Sequence, residues 1–377
     1  MSKHQLTISP SYVQDWTYVE AIRELFQNAL DNQVVDQNNT MYFAYSEETQ
    51  ELVIGNKTSK LEVNSLLMGY SSKRDDDDTI GRHGEGYKVA LMVLLREGKT
   101  VMIQNYGKKE LWSSRLIKSR KYNGEMITEI DVKKNFIFKT VPHNDLEIII
   151  GGISKEEYEN LVKNNLNLQP LKEDEDYYQT SRGKVLLSEK EKGNIYVSGL
   201  FVSHNPKLHK GYSLNPREIK LDRDRKLIQD FDLHFACSRL LAELTYTNSE
   251  FIIELVENDA PEVQYIYSER NTYQTAEEDK FTPVVKRLAE NFVEKHGEDA
   301  IPVSSADELE FIQSKTKNKA VLVSANHKKL IENNFSTRVT ELKNPKRRLK
   351  EWLKGVESKL SEEEIVDFEA ILSDIYV

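Results

Sequence analysis

The chain has 377 residues, 38% hydrophobic and 30% charged, with a net charge of −10 and a pI near 5.5. That length exceeds what one small core organises and predicts two or three domains; the acidic balance argues against a surface that grips nucleic acid throughout, while leaving room for a local basic patch. No apolar run reaches the ~18 residues of a membrane span, and the opening "MSKHQLTISPSYVQDW" has no signal-peptide core. The single cysteine, Cys237, lies in the apolar stretch "LHFACSRLLAEL", which fits a buried structural thiol and the reducing cytoplasm.

The first element with a clear period is "ELFQNALDN", Glu24 to Asn32. Ile22, Leu25, Phe26, Ala29 and Leu30 recur at helical spacing and predict one face against a core. Glu24, Asn28 and Asp31 then share the opposite face. A polar stripe there is ordinarily solvated, yet Asn and Asp are indifferent helix formers, and Lys or Glu would serve a solvated face better. "LVIGNKTSKL" follows as a strand ending near Asn56.

"TIGRHGEGYKVALMVLLREG", Thr79 to Gly98, places Gly81, Gly84 and Gly86 before an apolar segment with the length of a buried helix. A glycine-rich entry to a helix leaves backbone N–H groups open and lets a phosphate approach without a Cβ in the way. The pattern matches neither a dinucleotide fingerprint nor a P-loop, and three glycines alone often mark only a turn.

Together, E-L-x-x-N-x-x-D on a helix and G-x-x-G-x-G opening another resemble the GHKL ATPase superfamily of gyrase B subunits, heat-shock chaperones, MutL and MORC proteins. The match covers about the first 150 residues. It implies an α/β class with a Bergerat-type sandwich, a mixed sheet covered by helices. It also implies ATP as ligand, with Asn28 holding Mg²⁺ and Glu24 orienting or deprotonating the attacking water. Histidine kinases of the superfamily lack that glutamate, so Glu24 points to a hydrolase. Mg²⁺ prefers oxygen ligands and keeps several waters, so one amide oxygen plus phosphates suffices. A carboxylate one turn away can reach a water in line with the γ-phosphate. Asp31 contributes to the nucleotide site or bonds a neighbouring loop.

Between the motifs, "MGYSSKRDDDDTIGRHGEGYK" resembles the MORC and chaperone pattern of a Ser-Ser-Lys segment ahead of the glycines. Ser72, Lys73 and Lys88 thereby become candidates for phosphate contact, the alternative for the lysines being solvated surface positions. The run "DDDD" reads as the tip of a lid from Gly69 to Ile80. One departure from the family is the adenine-reading aspartate: aligning "LVI" as its strand puts Asn56 in that place. An asparagine offers both a donor and an acceptor and can turn to suit either purine. The family's late-strand threonine is not evident in "HNDLEIII".

Past this region, "KGNIYVSGLFVS" reads as a strand pair or one long strand, and "RKLIQDFDLHFACSRLLAEL" as an amphipathic helix. In "SLNPREIKLDRDRKL", Lys220, Arg223 or Arg225 would be the basic residue that a transducer domain sends to the γ-phosphate in related ATPases. Alternating charge also describes a self-paired, solvated segment. The last hundred residues read as helix, strand, helix, strand, helix, a small α/β module, and "KNPKRRLKEWLK" near Trp352 is the most basic stretch. The expected division is 1–152 for the ATP-binding domain, 153–270 for a transducer-like coupling domain and 275–377 for the C-terminal module. The expected function is an ATPase whose lid closure promotes a homodimer acting on DNA or a protein partner. The alternative is a non-hydrolysing nucleotide-binding or interaction protein, a virus-encoded one included, that engages a host ATPase or DNA machinery.

Overall fold

A computed structural model describes residues 2–66, 86–139, 144–221, 230–272, 280–315, 318–335, 349, 352–353, 355–356 and 359–374. The chain is α/β and divides into two units. The first takes Met1–Tyr178, Asn194–His204 and Tyr212–Ile228, and the second takes Gln179–Gly193, Asn205–Gly211 and Gln229–Val377.

In the first unit, β1 (Ser2–Leu6), β2 (Met41–Ser46), β3 (Glu51–Asn56), β4 (Thr100–Asn105), β5 (Glu110–Lys118), β6 (Met126–Lys133) and β7 (Leu146–Gly151) form one sheet in the order β1-β6-β5-β4-β7-β3-β2. Leu52 and Ile54, Val101 and Ile103, Ile130 and Val132 alternate along their strands and bury one face, as a period of two requires. Onto that face pack α1 (Tyr18–Val35), through Ile22, Leu25 and Ala29, and the almost wholly apolar α2 (Gly86–Arg96). Each Leu or Ile side chain among them contributes about 1.5–3 kcal/mol when fully buried. The sheet, expected to be mixed, is antiparallel at every pairing. The sequence-adjacent pairs β2–β3, β4–β5 and β5–β6 are joined by short connections, such as the Asn123-Gly124 turn with both φ angles positive, and these hold those strands antiparallel.

The entry to α1 is fixed twice. Thr17 and Glu20 form a reciprocal capping box. Arg96, in the last turn of α2, donates to the carbonyls of Pro10 (2.8 Å), Tyr12 and Val13 (3.3 Å each) and Trp16. After β7, α3 (Lys155–Lys163) starts on a second capping box, Ser154 with Glu157. Strands β8 (Tyr177–Thr180) and β9 (Gly183–Leu186) follow, then β10 (Asn194–Val197), β11 (Leu200–His204) and β12 (Gly211–Leu214). "KGNIYVSGLFVS" is thus a strand pair, β10 and β11 antiparallel, while β10 and β12 run parallel.

The second unit holds α4 (Asp230–Ala242), α5 (Ser249–Glu257), α6 (Thr282–His296), β13 (Ala300–Val303), α7 (Ala306–Lys315), β14 (Lys319–Leu322), α8 (Ala325–Ile331) and α9 (Glu362–Asp374). The helix-strand alternation expected for the last hundred residues is present, with β13 and β14 parallel across α7. Cys237 is buried in α4, and burial pushes its thiol up. Glu262, fully buried, accepts from the backbone N–H groups of His209 (2.8 Å) and Lys210 (3.1 Å). Among the described residues no helix is long and apolar enough to cross a membrane.

Candidate functional site

The polar stripe of α1 is not solvated: Glu24 and Asp31 are each only 2% exposed. Glu24 lies at the start of α2, where a Cβ on Gly86 would fall 2.2 Å from its Oε2. Only glycine permits that approach. The first N–H groups of a helix have no intrahelical acceptor, and its dipole is positive there, so the position suits the carboxylate. The Arg23 guanidinium stands 3.9 Å from Oε1. One turn on, Asn28 donates from Nδ2 to the Glu24 carbonyl at 2.8 Å, which orients the amide and sets Oδ1 as its acceptor side. That oxygen is a hard donor of the kind Mg²⁺ takes, and phosphates and water would complete such a site. Among the described residues no cluster of His, Cys, Asp and Glu forms a metal site of protein ligands alone.

Lys88, expected either at phosphate or on the surface, is 0% exposed, so the solvated position is excluded. Its Nζ lies 5.6 Å from the ring of Tyr87, whose hydroxyl meets Ser65 Oγ at 2.9 Å. Ser72, Lys73, Gly81, Gly84 and the "DDDD" run lie outside the described residues, as do Arg223, Arg225 and most of "KNPKRRLKEWLK". Lys220 is described and exposed.

Asn56 ends β3 as expected and is 4% exposed. Its Nδ2 donates to two backbone carbonyls, Ala29 in α1 at 3.0 Å and Asn39 at 3.2 Å. The amide expected to turn freely is therefore pinned, because a flip would set its oxygen against both carbonyls. Its carbonyl oxygen is what it can offer a ligand. A surrounding network was not foreseen: Asn39 and Asn32 both donate to Ser59 Oγ, at 3.0 and 3.4 Å, and Asn39 Oδ1 accepts from the Thr58 N–H at 3.4 Å. The dense asparagines of "DNQVVDQNNT" were the available signal. Asn105, in register with Leu146 and so beside Asn56 across β7, is fully buried and donates to the Leu61 carbonyl at 2.8 Å.

Gly55 faces the other way, onto Tyr42, where a Cβ would lie 2.3 Å from the ring. The Tyr42 hydroxyl donates to Glu147 Oε1 (2.7 Å) and Asp145 Oδ2 (3.1 Å). Burial and these carboxylates push its pKa far up. "HNDLEIII" thus contributes acceptors for Tyr42 in place of the absent threonine.

No family model and no curated protein matches the chain. Among solved structures it is similar to the ATPase region of Saccharomyces cerevisiae topoisomerase II, alone and bound to ICRF-187 (dexrazoxane), with 12% identity and a TM-score of 0.32 over 49% of this chain and 62% of that one. It is also similar to the ATPase and transducer domains of DNA topoisomerase II from Balamuthia mandrillaris, with 15% identity and a TM-score of 0.29 over 48% and 59%. The chain thus spans about three fifths of each of these structures.

Proposed function

We propose that the first unit binds ATP with Mg²⁺ and hydrolyses it. The observation that carries this reading is the Glu24 carboxylate buried against Gly86, the last glycine of the motif, at the first turn of α2. Two stretches some 60 residues apart in sequence, each motif-like, meet at the atoms where the GHKL resemblance puts its chemistry. In this reading the open N–H groups of the glycine entry and Lys73 hold phosphate, and Asn28 Oδ1 holds the metal, which neutralises phosphate charge. Glu24 orients the attacking water and takes its proton. Lid closure over the phosphates favours a homodimer, with Lys220, Arg223 or Arg225 reporting the γ-phosphate to the coupling region.

The test is ATP binding and phosphate release by wild type and Glu24→Gln. Glu24→Gln retains binding and slows release at least ~100-fold, the scale of a lost general base. Wild-type rates in the variant would remove Glu24 from catalysis. A wild type that binds ATP and never turns over selects the non-hydrolysing alternative. Sedimentation with a non-hydrolysable analogue reads the dimer directly, since a ligand shifts an equilibrium only by its preference for one state.

A further inference from the structure

The second unit carries a cavity of about 500 Å³ at the carboxyl ends of β13 and β14, the edge where open α/β sheets take their ligands. Strand-end residues Val321, Leu322 and Val323 give it an apolar floor. Its polar walls come from three helices and the loop after α5: Glu257 and Asp259, Lys295 and His296, and His327.

Two features bear on what it takes, and the first sets it apart from a surface dent. His327 is 8% exposed, lines the cavity, and its Nε2 is buried with no hydrogen-bond partner. Buried polar groups without partners are rare and costly, so a partner that enters the cavity accounts for this one. Burial holds His327 below the usual histidine range, with Glu257 and Asp259 acting against that shift and His296 and Lys295 adding to it. The imidazole is therefore neutral near pH 7, with one nitrogen a donor and the other an acceptor. Secondly, exposed charges of both signs, Glu257, Asp259 and Lys295, stand around the one cavity. Among the described residues neither Lys295 nor Asp259 forms an ion pair, and Glu257 accepts only from Asn291, at 3.0 Å.

We propose that this cavity is a second ligand site, taking a small zwitterion: a free α-amino acid with an apolar side chain. Its ammonium group faces Glu257 and Asp259, its carboxylate faces Lys295, and its side chain lies on the strand ends. His327 Nε2 completes its hydrogen bonding with the bound ligand, as donor to the carboxylate or acceptor from the ammonium. A simple anion meets two carboxylates against one lysine, and a simple amine leaves Lys295 unmatched; only a ligand carrying both charges satisfies both walls.

Calorimetric titration of the full chain with L-leucine, N-acetyl-L-leucine and L-leucinamide tests it. L-leucine binds, and each capped form, lacking one charge, binds at least ~10-fold more weakly, the scale of one lost charged hydrogen bond. Lys295→Met, at the cavity wall, weakens L-leucine at least ~10-fold and abolishes its advantage over leucinamide. His327→Gln weakens L-leucine. Absence of L-leucine binding to wild type overturns the proposal, as does equal affinity for L-leucine and either capped form.

Discussion

Gly86 and Glu24 touch in a way no other residue pair would allow, since a Cβ on Gly86 would sit 2.2 Å from Glu24 Oε2. The atom it would displace is the far end of a side chain, so Gly86→Ala moves the carboxylate without tearing the backbone. The expected outcome is a folded protein whose melting temperature falls by a few degrees and whose ATP turnover falls at least ~10²-fold, the cost of a misplaced catalytic group. Phosphate release at the wild-type rate in Gly86→Ala would show that the carboxylate has no need of that position.

Asn56→Asp would place there the aspartate of the GHKL motif that the sequence resembles, and it is expected to harm the fold. It deletes the two N–H groups held by the Ala29 and Asn39 carbonyls and sets a buried negative charge against both oxygens. A cost of about 3 kcal/mol or more follows from two buried carbonyls losing their donor and one charge losing its solvation. Chemical denaturation of Asn56→Asp against wild type measures it, and equal midpoints would mean that Asn56 does not clamp α1. Because the pinned amide offers its oxygen alone, wild type is expected to prefer ATP to GTP, which titration with each nucleotide reads.

How much of this was legible in the sequence differs by element. Helical period gave α1, the apolar run gave α2, and the helix-strand alternation from Thr282 to Ile331 matched α6 to α8 in order. These are local patterns, each set by a period and a cap. The meeting of Glu24 with Gly86 was legible only as two motifs of one family, because spacing along a chain carries no distance in space. The clamp at Asn56 was not legible at all. Its partners are backbone carbonyls, and every residue type has one. Lys88 shows the same limit from the other side: the sequence left it either at phosphate or on the surface, and only the packing of α2 shows it fully buried.

Arg96 offers a test of how the start of the chain is held. Its guanidinium spans the carbonyls of Pro10, Tyr12, Val13 and Trp16, a planar fork that an ammonium cannot reproduce. Both Arg96→Lys and Arg96→Met are expected to lower stability by about 1–2 kcal/mol, as partly buried carbonyls lose charged donors. Thermal melts decide this. If Arg96→Lys melts with wild type, the fork geometry is not what holds residues 10–16.

Glu157 supplies a pH dependence. Burial acts against its ionisation but is outweighed by Lys99, at 2.7 Å, and the Ser154 N–H, at 2.8 Å, so its carboxyl is held below the usual range. A carboxylate with a lowered folded pKa contributes stability above the unfolded value of ~4.3 and loses it as pH falls through the folded one. Glu157→Gln is therefore expected to lower stability by about 1 kcal/mol at pH 7, discounted for partial exposure. The gap to wild type should close in melts run below pH ~4. A gap of constant size across that range would assign the effect to packing instead of charge.

Strand β1 takes its place at the sheet edge by pairing Ser2 with Val132 and Leu6 with Thr128. On a ribosome working at roughly 5–20 residues per second, β1 waits on the order of ten seconds for β6, which lies far downstream of it in sequence. During that wait β6 is unmade, and once made it is an open edge until β1 arrives. An uncovered edge is a template for any extended chain nearby. The order of synthesis thus makes β1 a late-closing seal, and a bulky insertion placed directly beside it would compete with the closing step while leaving every residue of the candidate site unchanged.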